Sequence, residues 1–237
     1  MSVDYKLKDK YNVEDLIEIM KILRAPGGCP WDAEQDHESI KKNFIEETYE
    51  VVEAINKNDK DLLLEELGDV LLQVVFHAAM EEEKGVFDFN DVADGICKKL
   101  IIRHPHVFSD VKVNDTDDVL TNWDAIKRNT KNQKSTTEAM LSVPRELPAL
   151  MRAEKLQSKA AKNNADIENA VSYVSNKSES LANNVNEENI GNLLFATVAL
   201  ARKYKIDPED ALTKVSDKFL ENFETFEKGE NNGSIYD

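Results

Sequence analysis

The chain has little of what would betray a scaffold at once. Only two of its 237 residues are cysteine, Cys29 and Cys97. That excludes a disulfide framework and a four-cysteine zinc site, and it suits the reducing conditions of a cytoplasmic protein. Glycine (8) and proline (6) are scarce, which leaves too little turn chemistry for a many-stranded β fold. Long apolar runs are also missing. The longest, Val70–Met80 (broken by Gln73 and His77) and Leu193–Ala201, are too short to cross a bilayer. Met1–Asn12 is charged and has no apolar stretch, so no secretory signal is expected. Basic residues are outnumbered 30 to 46, for a formal net charge of −16. Such a balance argues against sequence-independent binding to nucleic acid or an anionic membrane. What remains is 41% hydrophobic and 32% charged, the composition of a soluble globular chain.

The apolar residues recur at helical spacing. Asn12 is suited to cap a helix over 13–24, where Val13, Leu16, Ile17, Met20 and Leu23 form a stripe. The segment Arg24–Asp32, with two prolines and two glycines, reads as a structured loop. Helices are expected from Ser39 to about Asn56 and from about Lys60 to Lys84, the latter apolar nearly all round in its middle, as in a central buried helix. Gly85 ends it. Asn90 is expected to cap a helix to Arg103, stopped by Pro105, and Asp115–Thr116 to open one carrying Trp123. Residues 129–142 read as a linker. Further helices are expected at 148–162, 167–182, 187–205 and 208–227, the last with Asp207 as cap and Pro208 at its first position.

The chain also repeats itself. Glu65-Glu-Leu-Gly-Asp-Val-Leu-Leu-Gln-Val-Val75 matches Glu188-Asn-Ile-Gly-Asn-Leu-Leu-Phe-Ala-Thr-Val198, with glycine in the same place. Downstream, Asp88-Phe-Asn-Asp91 through Lys99-Leu100 matches Asp207-Pro-Glu-Asp210 through Lys218-Phe219. Two matches in order point to duplication of a helical unit. The copies share an apolar pattern and differ in their acids.

In the first copy Glu46-Glu47-Thr-Tyr-Glu50 lies on one expected helix and Glu66-Leu-Gly-Asp69 on the next. Residues three apart share a helical face, so Glu47 projects with Glu50 and Glu66 with Asp69. If the two helices run antiparallel, four carboxylates converge. A Glu-rich helix face is most often merely solvated. Here, however, Glu66 and Asp69 interrupt an apolar helix, where ionised acids are costly unless paired or metal-bound. Gly68, mid-helix at a cost of roughly 1 kcal/mol against alanine, hints at close approach of a backbone or ligand. Gathered carboxylates repel by roughly several kcal/mol per pair at an effective dielectric near 20, so protons or a cation must join them. All-oxygen donors favour Mg²⁺, or Mn²⁺, over zinc. A di-iron bundle would want two Glu-x-x-His motifs, and only Glu34-x-x-His37 fits. His77 reads as a satisfied core histidine, and His104 and His106 as helix-end residues.

Mg²⁺ held by carboxylates is the common apparatus for handling phosphates. Lys99 and Arg103, one turn apart, suit phosphate oxygens, or else simply the negative end of their helix. Trp31 and Trp123 are core residues or surfaces on which a base could stack. No phosphate-cradling Gly-x-x-x-x-Gly-Lys loop is present, and no serine or cysteine sits in a recognisable nucleophile setting.

These segments together closely resemble the MazG family of nucleoside triphosphate pyrophosphohydrolases. The likeness is carried by Gly28-Cys-Pro-Trp-Asp32, Glu46-Glu-Thr-Tyr-Glu50, Glu66-Leu-Gly-Asp69, Phe87-Asp-Phe-Asn-Asp91, Arg103-His-Pro-His-Val-Phe108 and Trp123. It is dense over residues 13–130, and 143–155 and 193–198 are similar to the second half of two-domain members. The resemblance implies an all-α, duplicated helical bundle, usually homodimeric, that hydrolyses nucleoside triphosphates to monophosphate and pyrophosphate with Mg²⁺ in nucleotide-pool housekeeping. It further implies that Glu47, Glu50, Glu66 and Asp69 hold the metal, that Lys99 and Arg103 meet the phosphates, and that Trp123 lies near the nucleotide; Trp31, from its place in the Pro/Gly loop, is a candidate to stack on the base. Glu46 is the candidate for orienting or deprotonating the attacking water.

The second copy departs from this pattern. Asn189 and Asn192 stand where Glu66 and Asp69 would, Asn222 answers Arg103, and 169–179 has no Glu-Glu-x-x-Glu. An amide cannot neutralise Mg²⁺, so the second copy is expected to be catalytically dead, although in two-domain members the second domain can be the active one. The expected organisation is a catalytic domain (1–130), a linker (131–142), a degenerate domain (143–229) and a disordered tail (230–237). The alternative is a weak or inactive helical dimer that binds nucleotide or a protein partner as a regulatory module.

Overall fold

The computed structural model describes residues 5–113, 115, 118–119, 122–123, 126, 135–229 and 235. Among the described residues there are helices and no strands, and no helix is long and apolar enough to cross a membrane. The chain forms two compact units, Met1–Leu120 and Thr121–Asp237.

In the first unit, α1 (Val13–Arg24) begins at Asn12, whose side chain accepts from the Asp15 N–H while the Asp15 carboxylate accepts from the Asn12 N–H. The Pro/Gly segment is more regular than expected. It contains a single turn of helix, α2 (Pro30–Glu34), started by proline at its first position. Gly28 is required just before it, since a Cβ there would lie 2.2 Å from the Ile22 carbonyl oxygen. Helices α3 (Lys41–Lys57) and α4 (Lys60–Glu83) form a hairpin. Asn58 takes a left-handed conformation at φ 53°, and the Asp59 carboxylate accepts from the N–H groups of Asp61 and Leu62 to start α4.

Helix α5 (Phe89–Arg103) is capped by Asp88 in a reciprocal box with Asp91, not by Asn90 as expected. Both residues suit a cap; the partner three positions on decides between them. A further turn, α6 (Pro105–Phe108), follows. Helix α4 packs against α1, α3 and α5. The core joins Met20, Ile40, Val75, Phe76, Ala79 and Met80, with Leu16, Ile17, Leu71, Leu72 and Phe89 around it. Each such side chain removed from water contributes roughly 1.5–3 kcal/mol.

Helix α4 is not buried along its whole length. Its second half is, whereas Leu64 and Leu67 are 75% and 50% exposed. Gly68 does not mark a close approach within this chain either: a Cβ there would meet nothing within 4 Å.

Asp115 Oδ1 accepts from the Asp118 N–H at 2.9 Å, and Asp118, Val119, Asn122, Trp123 and Ile126 are helical. Part of the expected linker, 131–134, lies outside the described residues. Its remainder is largely helix α7 (Thr136–Leu141), capped by Ser135 and packed against α8 (Ala149–Ala161). The polar pattern hid it because only Ala139 is buried. Then come α9 (Ala170–Asn183), starting three residues later than expected at an Asn169 cap, α10 (Glu187–Lys203), and α11 (Pro208–Glu227) with its Asp207 cap. Of the expected tail only Ile235 is described.

The duplication seen in the sequence reappears in the packing. Helices α9 and α10 pair as α3 and α4 do, α8 lies on α10 as α1 lies on α4, and α11 touches α10 as α5 touches α4.

Candidate metal and phosphate site

The antiparallel pairing of α3 and α4 sets Glu47 opposite Glu66 and Asp69, and one carboxylate oxygen from each of the three lies within 4.8 Å of the others. Glu66 is buried, at 8% exposure, and Glu47 and Asp69 are half-buried. Glu50 is exposed at the rim, within hydrogen-bonding reach of both Glu47 and Glu66.

The electrostatics follow from this crowding. Burial, then contact with Glu50, then the charges of Asp69, Glu50 and Glu66 push the Glu47 carboxyl above its usual range. Burial also leads for Glu66, followed by the charges of Glu50, Asp69 and Glu65. A cation placed among them would offset the crowding that raises these carboxyls. An all-oxygen set with hard donors fits a divalent ion such as Mg²⁺ or Mn²⁺, and nothing in it suits a soft metal.

The other residues singled out in the sequence lie elsewhere. Glu46 is exposed on α3 and outside the three-carboxylate group. Lys99 is exposed and Arg103 half-buried, one turn apart at the end of α5, a helix that packs on α4. Trp31 is on α2 with 58% of its surface exposed. Trp123 is half-buried and belongs to the second compact unit.

Sequence reasoning missed a polar ridge on α4. Asp69, Gln73, His77 and Glu81 recur every four residues, so they line one face. Gln73 is buried at 7% exposure. His77 is half-buried, and its Nδ1 lies 2.7 Å from His37 Nδ1. The four-residue spacing was visible, but the partner of His77 is forty residues away in another element.

In the second unit, Asn189 has a different occupation from that of its counterpart Glu66. Its side-chain amide donates to the carbonyls of Asn184 at 2.7 Å and Ser180 at 3.4 Å, closing the C-terminal end of α9. Among the described residues, only Glu47, Glu66 and Asp69 form a group suited to a metal ion.

Comparison with known proteins agrees with this geometry. Residues 35–108, which contain the four acids, match the family model of the MazG nucleotide pyrophosphohydrolase domain. The nucleoside triphosphate pyrophosphohydrolase of Escherichia coli (strain K12) is 42% identical over 229 residues, covering 91% of this chain and 87% of that protein. The nucleoside triphosphate pyrophosphohydrolase/pyrophosphatase MazG of Thermotoga maritima is 40% identical over 222 residues, covering 91% of this chain and 85% of that protein. The uncharacterised protein YabN of Bacillus subtilis (strain 168) is 48% identical over 223 residues, 89% of this chain; the chain spans 45% of that protein's length. With a family domain laid over the carboxylate hairpin and relatives aligned along nearly their whole length, this chain belongs to the MazG family of nucleoside triphosphate pyrophosphohydrolases.

Proposed function

We propose that this chain hydrolyses nucleoside triphosphates to monophosphate and pyrophosphate at the carboxylate cluster of its first unit. The observation that carries this reading is the convergence of Glu47, Glu66 and Asp69, with Glu50 at the rim. These four acids would hold Mg²⁺, or Mn²⁺ in its place. When bound, the ion would neutralise triphosphate charge and stabilise the departing pyrophosphate.

The protein's own groups supply the rest. Glu46, exposed at the edge of the cluster's helix, would orient a water toward the anhydride between the α and β phosphates and take its proton. Lys99 and Arg103 would meet the phosphate oxygens, Arg103 as a fork. The exposed ring of Trp31 and the half-buried ring of Trp123 would offer faces to a base. The second unit would serve as a scaffold, because Asn189 is spent on capping α9.

The active form would be a homodimer in the cytoplasm, free of nucleic acid and membrane. Leu64 and Leu67 on α4, and Val92, Ile96 and Leu100 on α5, are exposed apolar residues at helical spacing that a second copy would cover.

The reading is tested by pyrophosphate release from a panel of nucleoside triphosphates, with and without Mg²⁺, in wild type, Glu47→Gln and Asp69→Asn. Metal-dependent release in wild type alone supports it. Equal rates in all three refute it. Sedimentation velocity of wild type and Leu67→Asp tests the dimer.

A further inference from the structure

His37 lies in the turn between α2 and α3, and His77 lies on α4. Their ring planes are 8° from parallel with centroids 5.0 Å apart, and their Nδ1 atoms are 2.7 Å apart. At that distance the two nitrogens share one hydrogen, donated by one ring and accepted by the other. The second nitrogen of His37, Nε2, lies 2.6 Å from Glu81 Oε1. Lys84 first, then His37, holds the Glu81 carboxyl below its usual range, so it is ionised and accepts the His37 Nε2–H. In the neutral pair His37 therefore accepts at Nδ1 and His77 donates. A first added proton leaves this bond intact, because one Nδ1 still has a lone pair. Only a second puts hydrogen on both and breaks it. Asp36 and Glu81 face the pair as acids, Lys84 as a base beyond Glu81, and α3 presents the edge of the Phe44 ring, 5.9 Å from the His77 ring.

The location gives the pair its meaning. Phe44 precedes Glu47 by one turn on α3, and His77 follows Asp69 by two turns on α4, with buried Gln73 between. The Phe44–His77 contact and the Glu47–Asp69 approach thus lie along one and the same helix pair. The turn bearing His37 is itself rigid: the Asp36 carboxylate accepts from the N–H groups of Glu38 and Ser39, and the Ser39 hydroxyl donates to the Asp36 carbonyl. That turn runs straight into α3.

We propose that His37 and His77 are positioning residues for the carboxylate site. Their shared hydrogen, anchored on Glu81, pins the start of α3 to α4 at the separation that lets Glu47 meet Glu66 and Asp69. The inference rests on reading that cluster as the metal site.

The experiment is Mn²⁺ binding without nucleotide, followed by the electron paramagnetic resonance of free Mn²⁺, on the full chain. The variants are His37→Ala, His77→Phe, the double variant and Glu47→Gln, with thermal unfolding run in parallel. Each histidine variant should weaken Mn²⁺ binding about tenfold, as loss of an outer-shell support does. The double variant should be no weaker than the poorer single one, because both remove the same bond. A purely structural role would lower the unfolding temperature and leave affinity well below that temperature untouched. Should His77→Phe fail to fold, the half-exposed His37 still gives the answer, as does ¹⁵N-histidine NMR of the wild type, in which the two Nδ1 atoms should be seen to share one hydrogen. Unchanged affinity in His37→Ala, or Nδ1 atoms that share no hydrogen, overturns the proposal. Unchanged affinity in Glu47→Gln would instead overturn the reading of the cluster, so the two failures are distinguishable.

Discussion

Arg24 and Glu83, 59 residues apart, are joined fork to fork: Arg24 Nε lies 2.6 Å from Glu83 Oε1 and Nη2 lies 2.9 Å from Oε2. The remaining donor, Nη1, serves the Asp32 and Gln35 carbonyls, and the guanidinium sits 5.3 Å over the Phe76 ring. One buried side chain thereby fastens α2 to the ends of α1 and α4.

Arg24→Ala should destabilise the first unit by roughly 3 kcal/mol, since it orphans two carbonyls and a carboxylate together. Arg24→Lys should recover only part, lacking the planar fork. Urea unfolding measures both. Arg24 holds the Glu83 carboxyl below its usual range, so this stabilisation is full above the unfolded-state pKa. It is lost as pH falls through the lower folded value.

The carboxylate cluster has the opposite sign. Burial and neighbouring acids raise the Glu47 and Glu66 carboxyls, so in metal-free protein their contribution favours folding at low pH and is lost as pH rises through the raised values. Cation binding and protonation compete for the same oxygens. Mn²⁺ affinity should therefore fall on acidification, and calorimetry in buffers of different ionisation enthalpy should detect proton release.

Glu66→Gln removes a buried charge that faces other acids. The metal-free variant should be more stable than wild type at neutral pH, since it loses the repulsion from Glu50 and Asp69, while metal-dependent pyrophosphate release falls by about a hundredfold or more. Thermal unfolding with and without Mg²⁺, alongside the release assay, separates the two effects.

Glycines at two positions should respond in opposite senses. A Cβ at Gly191 meets nothing within 4 Å on α10, so Gly191→Ala should stabilise by about 1 kcal/mol. At Gly28 the Cβ would collide with backbone at 2.2 Å. Gly28→Ala should cost roughly 2 kcal/mol or more. Denaturant midpoints at constant slope would register both.

The parts legible in the sequence were those determined locally. Asn12 and Asp207 announced their helices because a cap and its partner lie within three residues. The convergence of Glu47, Glu66 and Asp69 was legible from three-residue spacing plus a short hairpin. What escaped depends on distant partners. The buried half of α4 could not be told from its exposed half, since both are apolar and only α1, α3 and α5 decide which faces are covered. Gly68 was read as a close approach of a backbone or a ligand, and among the described residues no backbone beyond its own helix comes within 4 Å of a Cβ there. His37 and His77 carry no local mark of each other. The helix at Thr136–Leu141 was hidden because six residues with one buried side chain make no periodic stripe.

The amide of Asn189 makes its position intolerant of an acid. A glutamate there would strip the end of α9 of its donor and set a negative charge against bare carbonyl oxygens. A single exchange toward the Glu66 pattern would therefore cost the second unit a helix terminus before it offered any ligand.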